Sequence, residues 1–109
     1  VTVAGIRITC APARELINTA DTITVQPEGD IRIRSRQSGD SIRLSGGSKT
    51  LKKLFIDRKI PAARRDRIPV VCDEQGILGI CSIGAHLDRI PENLPAVTIR
   101  FHKTEEKGE

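Results

Sequence analysis

The sequence predicts an α+β domain. Three observations carry this reading: stretches with a period of two at both ends, one central stretch with helical spacing, and prolines and glycines that separate them. A chain of 109 residues suits one domain with a modest core, and 38% hydrophobic against 29% charged residues describes a globular chain.

Val1 to Cys10 (VTVAGIRITC) alternates around Ile6 and Ile8 and is rich in β-branched residues, which predicts a strand that Pro12 breaks. The AREL piece within Ala11 to Ala20 makes one helical turn or none. Thr22 to Gln26 is a second strand, closed by the turn residues Pro27, Glu28 and Gly29. Residues 1–29 carry no chemistry of their own and read as a leading arm, either the tail of a preceding region or part of the same domain. Ile31 to Arg36 alternates Ile with Arg, so Arg32, Arg34 and Arg36 are expected on one face and Ile31 and Ile33 toward the core. A turn at Ser38, Gly39 and Asp40 leads to the strand Ser41 to Leu44, with Ile42 and Leu44 inward.

Ser45 to Ser48 (SGGS) reads as a flexible turn that hinges this strand to a helix. Leu51, Leu54 and Phe55 then stand at i, i+3, i+4, which predicts an amphipathic helix over Thr50 to Lys59. Ser48 or Thr50 caps it, Arg58 and Lys59 favour its negative end, and Lys53 can pair with Asp57 four residues on. Pro61 suits the first position of a second helix, AARRDRI, which stops before Pro69. Val70 to Asp73, the turn Glu74 to Gly76, and Ile77 to Ile83 read as a hairpin interrupted at Gly79. Ala85 to Arg89 makes a turn of helix, Pro91 and Pro95 bracket a loop, Ala96 to His102 is a last strand, and residues 103–109 form a frayed charged tail.

Charge is distributed unevenly. Residues 30–67 hold twelve of the eighteen Lys and Arg against four Asp, a segment charge of +8 in a chain whose remainder carries −4. Such a local field steers a polyanion whatever the overall balance of +4. With no Trp, no Tyr and only Phe55 and Phe101, the chain lacks the aromatic platform on which single-stranded bases stack. Phosphates and 2′-hydroxyls of a folded or double-stranded RNA fit this composition better.

Other chemistries lack their residues. The glycines of SGGS are not followed by the Gly-Lys-Ser/Thr of a Walker loop, and Lys49 and Thr50 stand where an SGGxDS pyrophosphatase loop needs Asp and Ser. Cys72, Cys81, His86 and His102 lack the paired spacing of a zinc site. Three distant cysteines, Cys10, Cys72 and Cys81, argue against a disulfide framework and for buried thiols in a reducing, cytoplasmic setting. Asp57 and Asp66 sit among cations and are expected ionised, unlike a general acid. No apolar run reaches the length of a membrane span, so no membrane partner is expected.

One ordered set of motifs goes further. Arg34, Arg36, Gly39 and Asp40 form an RxRxxGD string, followed by Leu51, Lys52, Lys53, Leu54 and Phe55, by Ile60 and Pro61, and by Arg65, Asp66, Ile68 and Pro69. Across roughly residues 30–84 this resembles the C-terminal domain of the tRNA(Ile)-lysidine synthetases. The resemblance implies a compact mixed β-sandwich-like domain with two short helices, a fold shared with a domain of the phenylalanyl-tRNA synthetase β subunit. It also implies a parent enzyme that uses ATP with Mg to join lysine to the wobble cytidine of tRNA(Ile). The parent's N-terminal catalytic PP-loop domain is not in this sequence, so the implied role of residues 30–102 is to hold tRNA without cofactor or catalysis.

On that reading Arg32, Arg34, Arg36, Lys49, Lys52, Lys53, Arg64 and Arg65 contact RNA phosphates. The alternative is an interaction module whose basic face docks an acidic surface of its own catalytic domain or of a subunit partner, and a homodimer of the parent stays open.

Overall fold

The two ends of the chain meet in one sheet. The computed structural model describes residues 2–103, in which β1 (Thr2–Val3), β2 (Ile6–Pro12), β3 (Thr22–Val25) and β10 (Val97–Lys103) lie in the order β1-β2-β10-β3. The last strand is therefore central, paired antiparallel with β2 (Phe101 opposite Ile8) and with β3 (Ile99 opposite Ile23). The expected single opening strand is a hairpin, because Ala4 and Gly5 both take positive φ (52° and 80°) in the two-residue turn that suits strand twist. Pro12 does not break β2. Ala13 N donates to Ala96 O (2.9 Å), so by alternation the proline's missing N–H faces the side that β1 does not reach. The AREL piece makes no helix.

A second sheet has the order β4 (Arg32–Arg34), β7 (Val70–Asp73), β8 (Gly76–Ile80), β9 (Gly84–Ala85). It lies between two cores. On one side Val71, Leu78 and Ala85 pack with Ile8, Ile23, Ile99 and Phe101 of the first sheet. On the other, Val70, Cys72, Ile77 and Ile80 pack with Ile42, Leu51, Leu54 and Phe55. The layers thus run from the first sheet through the second to a third made of the hairpin β5 (Ser41–Leu44) and β6 (Gly47–Thr50) with helix α1 (Leu51–Asp57). A bulge makes this two-sided burial fit: Val71 faces Gly79 and Cys72 faces Ile77, which leaves Leu78 as the extra residue. Leu78 turns to the first core while Ile77 and Ile80 serve the second.

The expected strand over Ile77 to Ile83 ends at Ile80; residues 81–83 turn, with Ser82 at positive φ, and β9 returns along β8. Gly79 sits where this return crosses β3. A Cβ there would lie 2.5 Å from Ile23 Cδ1 and 3.0 Å from the Gly84 carbonyl oxygen. Gly79→Ala should therefore cost about 1–3 kcal/mol by overpacking, read from urea unfolding; an unchanged midpoint would refute the close approach.

SGGS is not a hinge. Leu44 pairs with Gly47, so Ser45 and Gly46 are the tip of the β5–β6 hairpin and Gly47 to Thr50 is strand, held by backbone pairing despite lacking apolar alternation. The Thr50 side chain caps α1, accepting from Lys53 N (3.2 Å). Helix α2 (Ala62–Arg65) has Pro61 at its cap rather than inside it, and is shorter than the expected AARRDRI. Pro69 forces Ile68 into extended backbone, which ends helical structure early. Leu87–Arg89 forms a 3-10 turn, capped by His86 Nδ1 accepting from Asp88 N. The expected charged tail lies outside the described residues except for Lys103, the last residue of β10.

Candidate nucleic-acid interface

The basic segment divides into side chains used by the fold and side chains left for something else. Strand β4 spans only three residues, since Ser35 Oγ donates to Asp66 O (2.8 Å) and the chain then leaves the ladder. The expected row of three parallel arginines is therefore not formed. Arg34 lies opposite Val70, on the side of the sheet that α1 covers, and its guanidinium grips Asp40 with two bonds (2.7 and 3.1 Å) and donates to Ser35 O. Asp40 also accepts from Gln37 N (2.7 Å), while its carbonyl receives Leu51 N. This pair welds β4, the 37–40 turn and the start of α1. Partial burial alone would raise the Asp40 carboxyl; the bonds from Arg34 and Gln37 outweigh it and hold the group below its ordinary range.

Arg36 is held as well, its Nε donating to Asp66 (2.9 Å) and its guanidinium 5.7 Å from the Phe55 ring centre. Lys49 Nζ, from the neighbouring strand, donates to Asp57 (2.9 Å), and the charge of Lys53, the expected partner, adds to the pull that lowers the Asp57 carboxyl without a direct bond. Arg65 Nε donates to Ile60 O (2.8 Å). Four of the eight expected contact residues are thus engaged within the domain. The other four, Arg32, Lys52, Lys53 and Arg64, are exposed and make no side-chain hydrogen bond or ion pair among the described residues.

Lys59 and Arg67, expected on the basic surface but not among the eight contact residues, and Arg58, expected only at the helix end, are also exposed and make no side-chain hydrogen bond or ion pair among the described residues. Their signal was present: they stand in the same basic run. Two clefts adjoin these cations. One, about 310 Å³, lies between the 37–40 turn and α1 and is lined by Arg36, Gly39, Thr50, Lys52 and Asp66. The other, about 290 Å³, has Arg58 and Arg64 over Ile6, Ile60, Ile68 and Ile83.

Burial pushes the Cys72 thiol up against the opposing pull of Arg34, and burial pushes Cys10 up although it is the exposed cysteine of the three. Burial lowers His86, whose ring is spent as a cap. Among the described residues no three His, Cys, Asp or Glu side chains cluster as metal ligands, and no helix is long and apolar enough to cross a membrane.

Comparison with known proteins gives this architecture a family. The family described as the TilS substrate C-terminal domain matches residues 31–91, more than half the chain. The chain belongs to that family. Its relatives include the tRNA(Ile)-lysidine synthase of Clostridioides difficile (strain 630), 53% identical over 51 residues that cover 47% of this chain and 11% of that protein. The tRNA(Ile)-lysidine synthase of Bacillus cereus (strain ATCC 10987 / NRS 248) is 42% identical over 65 residues, 54% of this chain and 14% of that protein. The TilS C-terminal domain therefore spans a small part of such relatives. A solved structure described as "Crystal structure of TILS C-terminal domain" superposes with a TM-score of 0.78 at 25% identity, covering 94% of this chain and 88% of that one. The β-sandwich-like α+β fold with two short helices is thus that of the TilS C-terminal domain, and it extends over strands outside the matched sequence.

Proposed function

We propose that this TilS C-terminal domain holds tRNA(Ile) for a cytoplasmic tRNA(Ile)-lysidine synthase and does no chemistry of its own. Joining lysine to the wobble cytidine, with ATP and Mg, then belongs to the enzyme's catalytic domain. The observation that carries the reading is the division of the basic segment. Three of its four carboxylates, Asp40, Asp66 and Asp57, are spent on Arg34, Arg36 and Lys49, while Arg32, Lys52, Lys53, Arg58, Lys59, Arg64 and Arg67 stand in solvent without a counter-charge bonded to them among the described residues. A surface of point charges on a welded frame suits phosphates, which fix register without reading sequence.

The test is binding of tRNA(Ile) across a salt series. Lys52→Ala with Lys53→Ala should lower the slope of log affinity against log salt by about two units and weaken other tRNAs alike. Arg34→Ala should act mainly through stability. An unchanged slope in the lysine pair, or cross-links from 52–67 only to an acidic protein surface, would overturn the proposal in favour of a protein-docking face.

A further inference from the structure

The sheet β1-β2-β10-β3 has one face on the core; the other is exposed over β2 and β10 and covered over β3, where Thr24 is fully buried and its hydroxyl bonds both the N–H and the carbonyl of Ile17. Side chains alternate along strands, and the pairs Arg7–His102, Thr9–Arg100 and Ala11–Thr98 lie on the face away from Ile8, Ile99 and Phe101. The strand side chains of that face over β2 and β10 are Arg, His, Thr and Ala, and Ile17 lines the cleft beside them. Arg7 and Arg100 are diagonal neighbours, about 7 Å apart at Cβ. Both are exposed, and neither makes a side-chain hydrogen bond or ion pair among the described residues. Arg14 joins them beside a shallow cleft of about 240 Å³, lined also by Thr9, Thr98 and Glu15.

The layer order separates this face from Lys52 and Lys53. The first sheet and α1 are the outer layers, with the second sheet between them, so Lys52 and Lys53 lie on the opposite side from Arg7 and Arg100, while Arg58 and Arg64, beside Ile6, flank the layers. One straight duplex cannot lie on both.

We infer that the open face of the first sheet is a second phosphate-binding surface, which takes a separate double-helical segment of RNA and makes the domain a bridge between two limbs of a folded RNA. Protein interfaces centre on aromatic and apolar anchors set in pockets; among the described residues the cleft of this face has no aromatic lining, and its one large aliphatic side chain, Ile17, stands among Arg14, Glu15 and Arg100. Guanidiniums interleaved with small hydroxyls suit phosphate oxygens and 2′-hydroxyls instead. The choice of RNA among polyanions rests on the function proposed above; the surface itself does not.

The experiment titrates the 109-residue chain with a short RNA duplex of arbitrary sequence and measures stoichiometry and salt slope. Two duplexes per chain are expected. Arg7→Ala with Arg100→Ala should weaken one of the two sites, and Lys52→Ala with Lys53→Ala the other. In the lysine-substituted background the remaining binding should have a slope that falls by about two units when Arg7 and Arg100 are removed. Replacing both with Lys should retain it, and circular dichroism confirms folding of each variant. Unchanged stoichiometry and slope in the Arg7 and Arg100 variant would overturn the inference, as would capture by this face of polyglutamate but not of the duplex. Loss at the sheet with no loss at α1 would instead refute the earlier reading alone.

Discussion

Asp73→Ala is expected to destabilise the domain by about 3–5 kcal/mol, the cost of removing one partner of a buried ion pair. The Asp73 side chain is fully buried and accepts from the Arg89 guanidinium and from the backbone N–H groups of Glu28 and Gln75. It joins the turn after β3, the β7–β8 turn and the 3-10 turn, none of which has much core of its own. Without it Arg89, with 14% of its side chain exposed, keeps its charge and loses its counter-ion. Tm should fall by roughly 12 °C or more for a domain of this size. A loss below about 1 kcal/mol in urea unfolding would show that the carboxylate is no clamp. The same group sets an acid limit. Burial alone would raise its carboxyl, but Arg89 and the two amides outweigh burial and hold it below its ordinary value. A lowered folded pKa stabilises above the unfolded value of about 4, and this contribution is lost as pH falls through the folded pKa. Stability should thus drop below about pH 4, and the drop should be shallower in Asp73→Ala.

Asp40→Ala should cost about 2–3 kcal/mol, less because Arg34 keeps 29% side-chain exposure and can rehydrate in part. Arg34→Ala should cost a similar amount, and the two together far less than their sum, because each alone strands the other. Additive losses in that cycle would show that the pair is incidental. Since the pair anchors the turn beside Arg36 and Lys52, Asp40→Ala should also weaken tRNA binding at constant salt slope, a result that removal of a phosphate contact would not give.

The fold class was legible where local pattern and burial agree. The spacing of Leu51, Leu54 and Phe55, the alternation of residues 96–102 and the turn at Glu74 to Gly76 all correspond to observed elements. Strand β6 was not legible, because Gly47-Ser48-Lys49-Thr50 has no apolar alternation and exists through its backbone bonds to β5. The bulge at Leu78 was hidden too, since a continuous apolar run looks the same whether or not one residue switches sides. Of the candidate site, the location of the charge was visible and its division was not. Asp66 reaches Arg36 from thirty positions away, a partnership no local window contains. The Arg34–Asp40 pair was within reach, because a turn at Gly39 folds the two ends of the RxRxxGD string together.

The placement of β10 between β2 and β3 also says something about how the chain is made. Thr9 and His102 meet across 93 residues, so β2 and β3 stay unjoined until the last strand has been synthesised. A ribosome releasing these residues in order delivers the centre of the first sheet well after the strands that flank it, and contacts of such separation form slowly. The second sheet and α1 can begin to assemble before β10 is made; the first sheet completes only with it. A chain stopped before Val97 would expose two disconnected strand edges, which is a template for association with another copy rather than a smaller version of the domain.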